Sequence, residues 1–80
     1  MVAGNWTKWT DTIFETIKAA EIKVGFEFTL EQMYLFEILL KKIYPNNNHI
    51  RDKIRQQLQI LREYEYVEFI DDQGRYRRLR

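Results

Sequence analysis

The stretch YPNNNHIRDKIRQQLQIL, residues 44–61, holds the only proline of the chain, three consecutive asparagines and then a run rich in arginine and glutamine. Proline pushes the residue before it, Tyr44, away from helical angles, so a helix arriving from the N-terminal side stops here. Asn47 or Asn48 offers a side-chain oxygen to a free amide of the next helix's first turn, so a new helix starts just beyond. Ile50, Ile54, Leu58 and Leu61 then recur at helical spacing on one face, and the pattern holds to about Glu63. Two helices joined by a turn of three or four residues cross steeply. The corner therefore reads as a helix-turn-helix whose second helix presents its outer face as a ridge.

Reading outward from that corner supplies the other elements. Thr29 stands in N-cap position with Gln32 in capping-box register, which predicts a second helix over about residues 30–43. Its inner stripe is expected to be Met33, Phe36, Leu40 and Ile43. A first helix is expected over about residues 10–22, with Trp9, Ile13, Ile17 and Ala20 facing inward and Phe14 widening the stripe. Gly25 ends that region, and residues 26–28 alternate like a very short strand. After the corner, residues 66–70 alternate with period two, residues 71–74 (DDQG) form a turn, and RYRRL returns as a second strand. The order is helix, short strand, helix, tight turn, helix, β-hairpin. The fold class is mainly α with a small β-hairpin, a winged helix-turn-helix of three helices plus wing.

Eighty residues, 45% of them hydrophobic, make one domain spanning 1–80, with residues 1–5 expected to be flexible or left over from cloning. A chain this size hides only about 60–65% of the surface it exposes when unfolded. The absence of cysteine removes disulfides and thiolate metal sites, and fits a reducing compartment. No apolar run approaches the ~18 residues that cross a bilayer, so no membrane partner is expected. The net charge of +1 conceals a division. Residues 1–44 carry five Lys against six acids, whereas residues 45–80 carry Lys53 and seven Arg against six acids. Arginine is favoured where planar, bidentate contact to phosphate or guanine matters.

At about 100° per residue, Asp52, Arg55, Gln56 and Gln59 lie opposite the apolar stripe of the third helix, with His49, Arg51 and Lys53 flanking. Arginine matches the two acceptors of guanine, glutamine the donor and acceptor of adenine, and aspartate accepts from cytosine. In a helix-turn-helix the N-terminal part of the second helix enters the major groove. A charged outer face is also what any amphipathic helix shows, so position and residue type must be taken together. Gln57 falls within the apolar stripe and reads as a buried hydrogen-bonding group, satisfied by a neighbouring backbone group. In the hairpin, Arg75, Arg77 and Arg78 could line a duplex, although Glu65, Glu68, Asp71 and Asp72 lie near them.

Nothing in the chain builds a catalytic site. Serine and cysteine are both absent, which removes the common nucleophiles. One histidine does not make a zinc site, and no cofactor or metal is expected. Glu21-Ile22-Lys23 looks like a nuclease fragment but sits at a helix end without a partner sheet. The domain itself is expected not to be an enzyme.

The run YPNNNHIRDKIRQQLQILRE, with FTLEQMYLFE before it and FI…GRYR after, resembles the C-terminal winged-helix domain of the Dam-replacing-protein family, DpnI-like methyl-directed restriction endonucleases. The resemblance covers roughly residues 28–78. It implies an auxiliary domain that binds duplex DNA at GATC sites carrying methylated adenine, beside a metal-dependent nuclease domain in the whole protein. Carried across position by position, it points to Asn46, Asn47, Asn48, His49, Arg51, Asp52, Lys53, Arg55 and Gln56 at the recognition helix and its turn, and to Arg75 at the wing. The expected partner is double-stranded DNA bound by a monomer, in the DNA-associated cytoplasm of a bacterium or phage host. Two departures stand out. Members often carry glycine just after the third helix, where this chain has REYEYVEF, and RYRRLR is one residue longer than the usual tail, which would turn Leu79 to the other side of an ideal strand. The alternative reading is a protein-interaction or regulator-like winged helix without methyl specificity, docking through Trp6 and Trp9.

Overall fold

Residues 4–80 are described by a computed structural model. The expectation for the first five residues lies, for positions 1–3, outside the described residues. Gly4 packs on Ile60, whose Cδ1 would stand 3.3 Å from an added Cβ. The chain runs α1 (Lys8–Ala19), β1 (Glu27–Thr29), α2 (Leu30–Tyr34), α3 (Glu37–Ile43), α4 (Ile50–Glu63), β2 (Val67–Asp71) and β3 (Arg75–Arg78). This is the winged helix that the periodicity predicts, with two refinements.

The first is that the second helix is two. Thr29 and Gln32 form the capping box: Thr29 Oγ1 accepts from the Gln32 amide at 3.1 Å, and Gln32 Oε1 accepts from the Thr29 amide at 2.7 Å. The helix they start tightens after one and a half turns. Leu35 N–H donates to the Gln32 carbonyl and Phe36 N–H to the Met33 carbonyl, both in i→i−3 register. Tighter winding advances the phase by about 20° per residue relative to an α-helix. Met33 and Leu40 stay fully buried, but Ile43, expected in the inner stripe, faces solvent, and Phe36 is only half-buried.

The second refinement concerns the short strand. β1 joins the hairpin, giving an antiparallel sheet in the order β1-β3-β2. Phe28, Tyr76 and Phe69 stand in line across it and pack face to face and edge to face, whereas Glu27, Arg77 and Glu68 form the line on the other surface. A bulge between Phe69 and Asp71 carries Asp71 over to the surface of Arg75. Gly74 closes the wing onto α2. Its φ is +80°, its carbonyl accepts from the Leu30 amide at 2.7 Å, and a Cβ there would meet Leu30 Cβ at 3.0 Å.

α4 is the element on which α1, α2 and α3 all pack. Ile54, Leu58 and Leu61 are fully buried against Ile13, Ile17 and Met33. Gln57 is buried among them, only 3% exposed, as its position in the stripe predicts. Its partner is a side chain, not the expected backbone group: Thr10 Oγ1 of α1 donates to Gln57 Oε1 at 2.6 Å. That bond fixes how α1 crosses α4, because a buried amide without a partner would cost about 1–3 kcal/mol.

Both long helices end in the same way. After α1, the Glu21 amide donates to the Lys18 carbonyl and the Ile22 amide to the Ile17 carbonyl; after α4, Glu65 donates to Arg62 and Tyr66 to Leu61. These are Schellman closures, and each requires a left-handed residue at its centre. Here that residue is glutamate, with φ of 61° at Glu21 and 62° at Glu65. So the missing glycine after the third helix leaves the helix end unchanged in kind but strained. β3 ends at Arg78, and the additional tail residue falls beyond the strand, where the Leu79 amide donates to the Tyr66 carbonyl. Among the described residues, no helix is long and apolar enough to cross a membrane. A left-handed L-residue costs about 1–2 kcal/mol, partly offset by the greater freedom of glycine when unfolded. Glu65→Gly is therefore expected to stabilise the fold by about 1 kcal/mol, raising Tm by about 4–8 °C in calorimetry; an unchanged or lower Tm contradicts the strain.

Candidate nucleic-acid interface

The corner between α3 and α4 assigns each of its residues a separate task. Tyr44 to Asn47 is a β-turn, closed by the Asn47 amide on the Tyr44 carbonyl at 3.1 Å, with Pro45 at the position that its fixed φ favours. Asn46 projects from the tip of the turn and is exposed. Asn47 Oδ1 accepts from the His49 amide at 2.7 Å, which bends the chain into the start of α4. Asn48 Oδ1 accepts from Lys41 Nζ at 3.1 Å, and the same ammonium donates to the Asn47 carbonyl at 2.6 Å. In place of the asparagine cap that the sequence predicts for α4, His49 occupies the N-cap with no side-chain bond, and Asn47, two residues earlier, accepts from the His49 amide. The free amides of the first turn of α4 thus keep no side-chain partner from their own cap.

The outer face of α4 carries the expected residues, though not on equal terms. Asp52, Arg55, Gln56 and Gln59 are exposed and line one shallow concavity. Asn46, Asn47, Asn48, His49, Lys53 and Gln56 line an adjoining one at the turn, so the structure gathers these residues on one side of the molecule. Arg51 is engaged elsewhere: its Nε donates to Glu37 Oε1 at 3.0 Å and its guanidinium lies 4.8 Å above the Tyr34 ring. Lys53 is half-buried, with Nζ 5.9 Å from the Trp9 ring, which in turn stacks flat on Tyr44 at 3.8 Å. Arg55 has no ion-pair partner among the described residues. It lies on the wing side of the helix, where Gln59, Phe69, Asp71 and Tyr76 complete a groove. Burial pushes the Tyr76 phenol above its ordinary pKa; the Arg55 guanidinium pulls it back and Tyr34 adds to the rise.

In the wing the three arginines separate. Arg77 is held between two carboxylates, Glu68 at 2.8 Å and Glu27 at 3.1 Å. Arg75 has a loose contact with Asp71 at 3.8 Å and remains exposed. Arg78 turns to the α1 side, donating to the Ile22 carbonyl at 2.8 Å and the Arg80 carbonyl at 2.7 Å beside the Phe14 ring. The two tryptophans serve the interior: Trp6 packs on Phe14, Tyr64 and Tyr66 and donates to Asp11 at 2.6 Å, while Trp9 closes the α1 side of the corner.

Lys41 and Glu37 are the residues that sequence reasoning missed. Lys41 had a signal, a cation in the last turn of a helix that runs into an asparagine-rich corner. The Glu37–Arg51 pair had none, being 14 positions apart across that corner. Among the described residues, no group of three or more His, Cys, Asp or Glu is placed to hold a metal ion.

The family model of the Dam-replacing HTH domain matches residues 6–78, nearly the whole chain. The chain belongs to this family, and with it to a helix-turn-helix type that supports DNA binding. Because Asn47 bridges the turn to α4, Asn47→Ala is expected to destabilise the fold by about 1 kcal/mol and to speed amide hydrogen exchange at His49 selectively. Exchange at His49 as slow as in the parent would contradict the bridging role.

Proposed function

We propose that this member of the Dam-replacing HTH family binds duplex DNA by laying the N-terminal half of α4 in the major groove. Asp52, Arg55 and Gln56 face base edges there, with Gln59 one turn further along the same face. Lys53, the Asn46 to Asn48 turn with His49, and Arg75 meet phosphates on either side. Arg51 braces the helix against α3 through Glu37, and Arg77 and Arg78 brace the wing. The preferred target is a GATC-type site methylated on adenine, and the domain serves as the recognition module of a methyl-dependent restriction endonuclease. The nuclease chemistry belongs to another domain of the parent protein. The methyl contact does not come from Ile50, which is buried in the core.

The observation that carries this reading is the state of Arg55. A guanidinium on the outer face of α4 that joins no ion pair among the described residues, flanked by two exposed glutamines with Asp52 and Asp71 lining the concavities beside it, has its donors free for guanine or phosphate. Of the other arginines near this face, Arg51, Arg75 and Arg77 already have carboxylate partners, whereas Arg62 lies over the Phe69 ring.

Titration of labelled duplexes with GATC unmethylated, hemimethylated and fully methylated tests the reading. The fully methylated duplex is expected to bind tightest. With about four phosphates neutralised, log affinity is expected to fall against log salt with a slope near −3.6. Arg55→Ala is expected to cost about 1–3 kcal/mol and to blur base choice, whereas Lys53→Ala weakens all sequences alike. A flat salt response contradicts DNA binding, and equal affinity for the three duplexes contradicts methyl reading.

A further inference from the structure

The phase advance between α2 and α3 leaves a stripe of aliphatic side chains outside. Leu35, Ile38, Leu39 and Ile43 are 81, 74, 50 and 50% exposed. They follow one another at the spacing of a buried helix stripe, yet the core has taken the opposite side with Met33 and Leu40. Single exposed leucines need no explanation, but a contiguous apolar strip marks an interaction surface.

What covers the strip is indicated by its charges. Glu31 stands at the start of the same face and Lys42 at its end; both are exposed, and neither joins an ion pair among the described residues. We propose that this face is the interface of a two-fold dimer with a second copy of the chain. A two-fold contact must be self-complementary, each residue meeting the residue that meets it in return. An antiparallel crossing that brings Glu31 of one copy to Lys42 of the other also sets Leu35 against Ile38. The two pairs share one midpoint, between Phe36 and Glu37, at the junction of α2 and α3. Charge and apolar register therefore agree on a single axis. The face contains none of the residues assigned to DNA, although its Lys42 end adjoins the Asn46–Asn48 turn, and pairing measured without DNA is independent of the reading above.

The association is weak. The exposed strip along α2 and α3 is at most about 20 Å long and covers less than the ~800 Å² per partner of a standard interface. The chain is thus monomeric when dilute and pairs as its concentration rises.

Sedimentation equilibrium at low salt, over a series reaching millimolar protein, tests the proposal. The mean mass is expected to climb from the 9.9 kDa of one chain towards twice that value. Leu35→Glu is expected to hold the mass at one chain with an unchanged circular dichroism spectrum, since the side chain it replaces is exposed. Glu31→Lys and Lys42→Glu are each expected to weaken pairing by about tenfold, and the double swap to restore it to within about twofold. A monomeric mass at every concentration overturns the proposal and leaves the strip to a different macromolecule. A dimer indifferent to Leu35→Glu, or charge swaps that fail to rescue one another, overturns it as well.

Discussion

The ammonium of Lys41 sits where two helices and their corner meet, donating to the Asn47 carbonyl and the Asn48 amide oxygen. A corner this short has few ways to satisfy its own backbone groups, since Pro45 offers no donor and the first turn of α4 has no side-chain cap. The lysine, Asn47 and the β-turn together supply the acceptors and donors that the helices leave open. With the corner fixed, the angle of α4 follows, and its apolar stripe must face α1 while the opposite side faces outward. The Thr10–Gln57 bond then sets the register of that packing from inside the core. The exposure of Asp52, Arg55, Gln56 and Gln59 is thus a consequence of how the corner is tied.

Much of this was legible in the sequence because it rests on local rules. Pro45 as the stop of α3, the Thr29–Gln32 capping box and the glycine of the wing turn each act within four residues and form as predicted, whereas the asparagine cap of α4 gives way to His49. What escaped notice was of two kinds. The tightening at Leu35 and Phe36 has no breaker residue to announce it, so the expected inner stripe ran one turn too far and took in Ile43. Pairings across the fold, such as Arg51 with Glu37 and Arg77 with Glu27 and Glu68, depend on register and crossing angle. Counting basic residues by segment shows where the arginines are, not which are free: Arg51, Arg75, Arg77 and Arg80 have carboxylate contacts within the fold.

That availability shapes the electrostatics of the surface. Internal pairs at exposed positions are weak, about 0–1 kcal/mol each, so they leave the fold little changed when exchanged for phosphate. They do lower the field that a duplex meets at a distance, since a paired arginine contributes little beyond a Debye length of about 8–10 Å. A domain of net charge +1 with most arginines paired is therefore suited to a partner held nearby by something else. In the proposed setting that would be a nuclease domain in the same protein, which raises the effective concentration of DNA at α4. Specificity then rests on the few side chains whose donors are free, with Arg55 foremost.

The central claim is that DNA lies along the outer face of α4, beside the wing. Backbone amide chemical-shift mapping of the labelled domain, with a methylated GATC duplex added stepwise, addresses it residue by residue. The largest shifts are expected at residues 46–59 and at Arg75, with the aliphatic strip from Leu35 to Ile43 nearly still. Shifts concentrated on that strip or around Trp6 and Trp9, with α4 unmoved, would contradict it.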